Sequence, residues 1–289
     1  MFFIGLFFLI IMFLSIKDFF EKNNQNQLEK STFLNESDQI KQTIALIKPE
    51  MLKNNEKNEK VVGADPEFVK KYGADVFEIS KKLEQQDYSP IDGKRIAFLT
   101  FDDGPSKYTE DILKILKQRD VPATFFLVGN QITEYEDKVQ KIYENGSALG
   151  NHTCSHNFSK LFKNKSPNLE VFKKEIVDTN NLIKKALKND NFTTNVFRMP
   201  GGSKSWRNTS DVFDYLKEIK MASIDWNALN SDAEGRYKNS NELFERFKAS
   251  VGDKEMVVSL MHEKPSTLES LPKVLDFLLE KGFTFKILI

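Results

Sequence analysis

Two hydrophobic periodicities alternate along most of this chain. From Lys94 onward, short runs dense in β-branched and aromatic residues are followed by longer segments whose apolar positions recur at helical spacing. Residues 95–100 (RIAFLT) are a run of the first kind; residues 108–118, with Ile112, Leu113, Ile115 and Leu116, are of the second. The same reading predicts strands over 123–128, 147–150, 194–197, 221–224, 256–260 and 283–289. Helices are predicted over 133–143, 169–187, 243–250 and 268–280. About seven strands separated by helical patterns imply parallel βαβ units and an α/β fold. In a β/α barrel, residues that follow the strands collect on one face, where catalytic groups gather.

The N-terminal part is different. Residues 1–16 (MFFIGLFFLIIMFLSI) carry no charge, and Phe19 and Phe20 follow closely after Lys17 and Asp18. The run is shorter than the ~20 residues a comfortable membrane span needs. It shows neither a basic n-region nor a small-residue cleavage site. Residues 1–20 are therefore expected to act as a signal-anchor or an atypically patterned signal peptide; the mixed flanking charge fixes no orientation. Residues 21–86 read as a polar linker, rich in Asn, Gln, Lys and Glu up to Val61. An accessory amphipathic helix starts there at Asp65-Pro66. Residues 87–289 are the expected catalytic domain. Acidic and basic side chains, 42 of each, cancel, so no global field points to nucleic acid. The single cysteine, Cys154, rules out an intramolecular disulfide framework.

Candidate chemistry sits just after the predicted strands. Asp102 and Asp103 stand in Thr-Phe-Asp-Asp-Gly-Pro. Asp, Gly and Pro also make ordinary turns, but adjacent carboxylates suit a division between metal binding and proton acceptance. The chain has only 3 histidines. His152 and His156 occupy Asn-His-Thr-Cys-Ser-His, a spacing at which two imidazoles can share a metal ion. Cys154 between them is either a soft ligand or a small apolar residue turned away. Arg198 opens Arg-Met-Pro-Gly-Gly-Ser, either a glycine-rich turn or a carboxylate partner with exposed backbone N–H groups. Asp225, Trp226 and Asp232 follow the next strand, and either aspartate could orient an imidazole. His262 ends Leu-Met-His.

Taken together, these motifs resemble the polysaccharide deacetylases, the NodB-homology family of carbohydrate esterases (family 4), over about residues 95–289. The resemblance implies a distorted (β/α)7-type barrel with fewer than eight repeats. It implies Asp102 as general base, with Asp103, His152 and His156 holding a divalent metal. Zinc is the first expectation; cobalt, nickel and manganese are alternatives. It implies Arg198 as the partner of Asp102, His262 as general acid, and Leu260 as a wall of the acetyl pocket. The Pro200-Gly201 segment would supply an oxyanion-binding N–H, with Trp226 beside the substrate. Two departures matter. Gly201 stands where the family often has an aromatic residue, and Asp232 is followed by Ala233 rather than tryptophan. Asp232 is preferred as the partner of His262, with Asp225 second.

The expected reaction is hydrolysis of an N-acetyl group on an amino sugar. Peptidoglycan N-acetylglucosamine is favoured, because the N-terminal segment would place a monomeric catalytic domain at the cell envelope, outside the cytoplasm. Chitin-like oligomers or an exopolysaccharide are the alternative substrates. A non-haem iron oxygenase also uses two histidines and a carboxylate, but its usual antiparallel double sheet conflicts with the strand–helix alternation. A silent glycan-binding module would not need both Asp102 and His262.

Overall fold

The computed structural model describes residues 60–236 and 239–289. The expected membrane-targeting segment, 1–20, and the linker up to residue 59 lie outside the described residues. Among the described residues, no helix is long and apolar enough to cross a membrane.

The strand-like runs assemble into one sheet of 9 strands. Along its path lie Ala222–Ser223, Val196–Phe197, Ala148–Asn151, Thr124–Leu127, Thr100–Gly104, Met256–His262, Ile96–Phe98 and Thr284–Phe285. Ala228–Leu229 branches off, paired with Met256–His262. Every ladder in this sheet is parallel. Parallel neighbours need long crossovers, and the helices Thr109–Lys117, Leu169–Leu187, Ser210–Glu218, Ser240–Val251 and Pro265–Glu280 lie on such connections. The helix expected over 133–143 is two helices, Gly129–Glu134 and Glu136–Glu144. Tyr135 between them has φ −128° and ψ 48°, which breaks the helical ladder.

Both faces of the sheet are buried, as parallel sheets require. Ala97, Leu99, Phe101, Phe125, Leu127 and Val257 pack outward beneath the helices. Their alternate neighbours, Phe98, Phe126, Met256 and Val258, join Val196 and Ile224 in a separate inner cluster. These inner residues come from strands far apart in the sheet order, so the sheet must roll around them. Among the described residues, no ladder joins Ala222–Ser223 to Ala228–Leu229, which leaves the roll open between them.

The helix Val76–Glu84 turns Val76, Ile79 and Leu83 into that inner cluster. Burial of each aliphatic side chain stabilises the fold by ~1.5–3 kcal/mol. The Ser80 hydroxyl donates to the Ser223 carbonyl at 2.8 Å. Gly73–Ala74 pairs with Ile287–Leu288, and Val61–Val62 with Phe192–Thr193. The compact unit accordingly runs from Lys60 to Ile289, so residues 60–86 are built into it.

Candidate active site

Neighbouring residues in a strand normally point to opposite faces, so Asp102 and Asp103 should not meet the same partner. An irregularity in the ladder resolves this. Phe101 pairs with Phe125 and Gly104 with Leu127, so two residues on one strand oppose one on the other. Such a bulge re-aims side chains. Asp103 completes it in the left-handed region, at φ 68°. Both carboxylates now face His152: its Nε2 lies 3.7 Å from Asp102 Oδ2 and 3.5 Å from Asp103 Oδ1.

The segment from His152 to His156 is a tight loop rather than a helical turn. Thr153 and His156 are both left-handed, at φ 66° and 49°, conformations that persist only where surroundings enforce them. Asn151 Oδ1 accepts from Thr153 N–H at 2.9 Å and Thr153 Oγ1 from His156 N–H at 3.2 Å, and Glu175, buried on the helix Leu169–Leu187, holds the residues between them. Its carboxylate accepts from Cys154 N–H (3.2 Å), Ser155 N–H (2.9 Å) and Ser155 Oγ (2.6 Å). Cys154 turns its sulfur away, toward Gly129 and Asn130. It is not among the candidate metal-binding residues Asp103, His152 and His156.

His152 is buried and donates from Nδ1 to the Arg198 carbonyl at 2.8 Å. Burial pushes its pKa below the usual 6.5, so the ring is neutral with its lone pair on Nε2. Burial alone would raise the Asp103 carboxyl, but the fields of His152, His156, His262 and Lys264 outweigh it and hold the carboxyl down.

Asp103 Oδ1 is buried with no hydrogen-bond donor. It lies 3.3 Å from His156 Nε2 and 3.5 Å from His152 Nε2. With no hydrogen bond joining them, the two imidazole nitrogens and the carboxylate oxygen converge on a gap that a cation would fill. The three candidate ligand atoms lie within 4.8 Å of one another. These residues fit a divalent metal, and two imidazoles plus one carboxylate is a donor set such ions take.

Arg198 is fully buried beneath the site. Nη1 donates to Asp102 Oδ1 at 2.8 Å and to Thr100 Oγ1 at 2.5 Å. Nε and Nη2 donate to the carbonyls of Ile224 and Asp225, and the guanidinium lies 4.0 Å from the centre of the Phe126 ring. With four acceptors and an aromatic floor, the cation has one orientation, and so has Asp102.

On the opposite side, His262 ends the strand Met256–His262. Its Nδ1 lies 2.6 Å from Asp232 Oδ1, and its N–H donates to Asp232 Oδ2 at 2.7 Å. Thr267 Oγ1 also donates to Oδ2, at 2.6 Å. Burial opposes charge on both groups, yet their mutual contact raises the His262 pKa and lowers that of Asp232. The contact favours the charged forms of both groups, and the His262 Nε2 lies 3.8 Å from Asp103 Oδ2. Asp225 has another task. It accepts from the Ser203 N–H at 2.9 Å and from the Ser203 hydroxyl, tying down the Pro200–Ser203 turn.

The remaining predicted residues form the surroundings. Leu260 is buried and shares the strand face of His262, two residues away. Gly201 is exposed and left-handed (φ 76°), and Pro200 precedes it in the buried floor of the turn. Trp226 packs against Gly202, where an added Cβ would meet the indole at 2.6 Å.

Several contributors were not anticipated. Thr100, Glu175 and Thr267 orient the predicted groups, as described above. Glu263 is a buried carboxyl that accepts from Ser106 Oγ (2.7 Å) and Thr109 Oγ1 (2.5 Å). Its Oε1 would lie 2.0 Å from a Cβ placed on Gly104, so the glycine of Asp-Asp-Gly-Pro is sterically required.

Comparison with known proteins places this geometry in context. A sequence profile described as polysaccharide deacetylase matches residues 90–223. A peptidoglycan-N-acetylglucosamine deacetylase of Bacillus cereus is 33% identical over 219 residues, 71% of this chain and 75% of that protein. A CE4 esterase structure from Streptococcus mutans superposes with a TM-score of 0.69 at 32% identity, covering 79% of this chain and 96% of its own. A polysaccharide deacetylase structure from Bacillus cereus gives 0.59 at 31% identity, covering 67% and 92%.

Proposed function

The chain belongs to the polysaccharide deacetylase family, hydrolases of carbon–nitrogen bonds, and from that premise we propose that it removes N-acetyl groups from peptidoglycan N-acetylglucosamine in a metal-dependent reaction. One observation carries the mechanism. Asp102, held by Arg198, and the hydrogen-bonded His262–Asp232 pair flank the Asp103, His152 and His156 cluster.

Asp103, His152 and His156 would hold a divalent cation, zinc as first choice, which when bound would polarise the amide carbonyl and acidify a water. Asp102 accepts the water's proton as its oxygen adds to the carbonyl carbon. Arg198 holds Asp102 in place throughout. The Gly201 N–H is read as a donor to the developing oxyanion, with Pro200 and the Asp225–Ser203 tie fixing that turn. His262 passes its Nε2 proton to the departing nitrogen, the C–N bond breaks, and acetate and a free amine result. Asp232 stabilises the imidazolium beforehand and selects the tautomer afterwards. Leu260 and Trp226 are read as walls beside the acetyl group and the sugar.

The rolled parallel sheet is read as the family's distorted (β/α)7 barrel. The apolar run 1–16 and the name of the Bacillus cereus relative support an envelope substrate. On this reading residues 1–20 hold a monomeric catalytic domain outside the cytoplasm. The test is mass spectrometry of muropeptides after treatment with the zinc-loaded chain. A loss of 42 Da (~ one acetyl group) from glucosamine is expected. Modification of muramic acid alone, or activity only on chitin oligomers or an exopolysaccharide, would replace the substrate. Binding without acetate release would identify a glycan-binding module.

A further inference from the structure

We propose that Phe158, backed by Trp206 and Phe162, is a stacking platform for the pyranose ring next to the sugar being deacetylated. The proposal rests on the polysaccharide reading above and specifies how the rest of the chain is held.

Phe158 directly follows the ligand loop and opens the short helix Phe158–Leu161. Asn157 caps that helix by accepting from Ser159 N–H and Lys160 N–H. The cap and the Glu175 anchor together set the position of Phe158 relative to His156. Its ring centroid lies 5.2 Å from the His156 ring at an interplanar angle of 70°. On its other side it lies 5.6 Å from Trp206, which is stacked on Phe162. The Trp206 indole N–H donates to the Pro200 carbonyl at 2.8 Å, so the aromatic group is tied to the Pro200–Gly201 turn. A Cβ on Gly201 would stand 3.3 Å from Phe158 Cε1 and 3.6 Å from Trp206 Cζ2. The aromatic surface therefore runs without a break from a candidate metal ligand to the oxyanion turn.

Phe158 nevertheless keeps 44% of its surface in solvent, whereas Phe162 keeps 7%. Isolated exposed apolar residues are ordinary. Among the described residues, the other large exposed hydrophobics are Phe77, Val177, Ile219 and Leu279, and Phe158 is the one with a ring contact to a candidate ligand. Phe158 differs because it is preorganised by two further rings and adjoins the reacting position. Aromatic faces beside polar groups are how concave sites orient ligands. A pyranose matches such a surface, since its hydroxyls lie around the rim and its C–H groups form an apolar face. The acetylated sugar must reach Asp102 and the Asp103, His152 and His156 cluster, so the ring over Phe158 belongs to its neighbour in the chain.

Isothermal titration calorimetry tests this on the full chain carrying Asp102→Asn to block turnover. Chitotetraose and N-acetylglucosamine are the probes, with Phe158→Ala and Phe158→Tyr added in turn. Phe158→Ala should weaken chitotetraose about tenfold and leave the monosaccharide within about twofold, and Phe158→Tyr should restore the affinity. Unchanged chitotetraose affinity in Phe158→Ala, equal weakening of both probes, or no chitotetraose binding by the parent would overturn the platform. Acetate release from purified peptidoglycan by the unmutated chain, run in parallel, separates the two claims. Release without a Phe158 effect overturns the platform alone, and no release overturns the deacetylase reading beneath it.

Discussion

Glu175 is not among the candidate metal ligands, yet its removal should weaken metal binding. Three donors converge on its carboxylate: two backbone N–H groups and the Ser155 hydroxyl. A hydrogen bond to a charged acceptor contributes ~1.5–3 kcal/mol. The sum overstates the loss, because the cavity lined by Asn130, Cys154 and Glu175 admits water to the abandoned donors. A loss of about 2–3 kcal/mol is the reasonable expectation for Glu175→Ala. The loop it releases contains Thr153 and His156 in left-handed conformations, which cost ~1–3 kcal/mol each when not enforced. His156 would then have to be reordered on metal binding, so zinc affinity should fall about 10–100-fold. Glu175→Gln should fall between, since an amide cannot accept all three bonds. Competition with a chromophoric chelator measures the affinity, and thermal unfolding of chelator-treated protein shows that the variant folds. Zinc affinity within about twofold of wild type in a folded Glu175→Ala protein would refute the reasoning.

Other predictions concern the acid side and the bulge. Asp232→Asn should retain metal while lowering kcat by about 10²–10⁴, because His262 loses both its charge partner and its fixed tautomer; steady-state rates at matched metal content check this. Burial raises the Glu263 pKa above its ordinary 4.5, while the Thr109 and Ser106 hydroxyls pull the other way. The folded state then holds a proton that the unfolded chain gives up, so stability falls as pH rises from 4.5 through the folded value. Glu263→Gln removes that titration, and its stability relative to wild type should grow with pH in denaturant titrations; parallel pH profiles would contradict this. Gly104→Ala should destabilise by about 1–3 kcal/mol through the clash with Glu263, and by much less in a Glu263→Ala background. Equal cost in both backgrounds would count against the contact.

The sequence carried the sheet because parallel strands are continuous apolar runs and their crossovers have helical spacing. It did not carry the bulge. Period-two alternation places Asp102 and Asp103 on opposite faces, and only the left-handed Asp103 reconciles them. The choice between Asp225 and Asp232 was equally hidden, since both follow strands and the deciding contact to His262 spans 30 residues. The accessory helix was legible as amphipathic, but the inner cluster that its Val76, Ile79 and Leu83 join was not. Glu175 had a legible signal: it falls between Phe172, Ile176 and Thr179 on the buried stripe of its helix, where an acidic residue requires a partner. Phe158 had no such signal, because its exposure depends on the packing of Trp206 and Phe162 from distant segments.

Acetate release from purified peptidoglycan tests the central claim most directly, comparing the zinc-loaded chain, the chelator-treated chain, and Asp102→Asn at equal bound zinc. The account predicts release by the first, none by the second until zinc is restored, and a rate at least ~10²-fold lower for the third. Wild-type rates from Asp102→Asn, or undiminished release without metal, would contradict it.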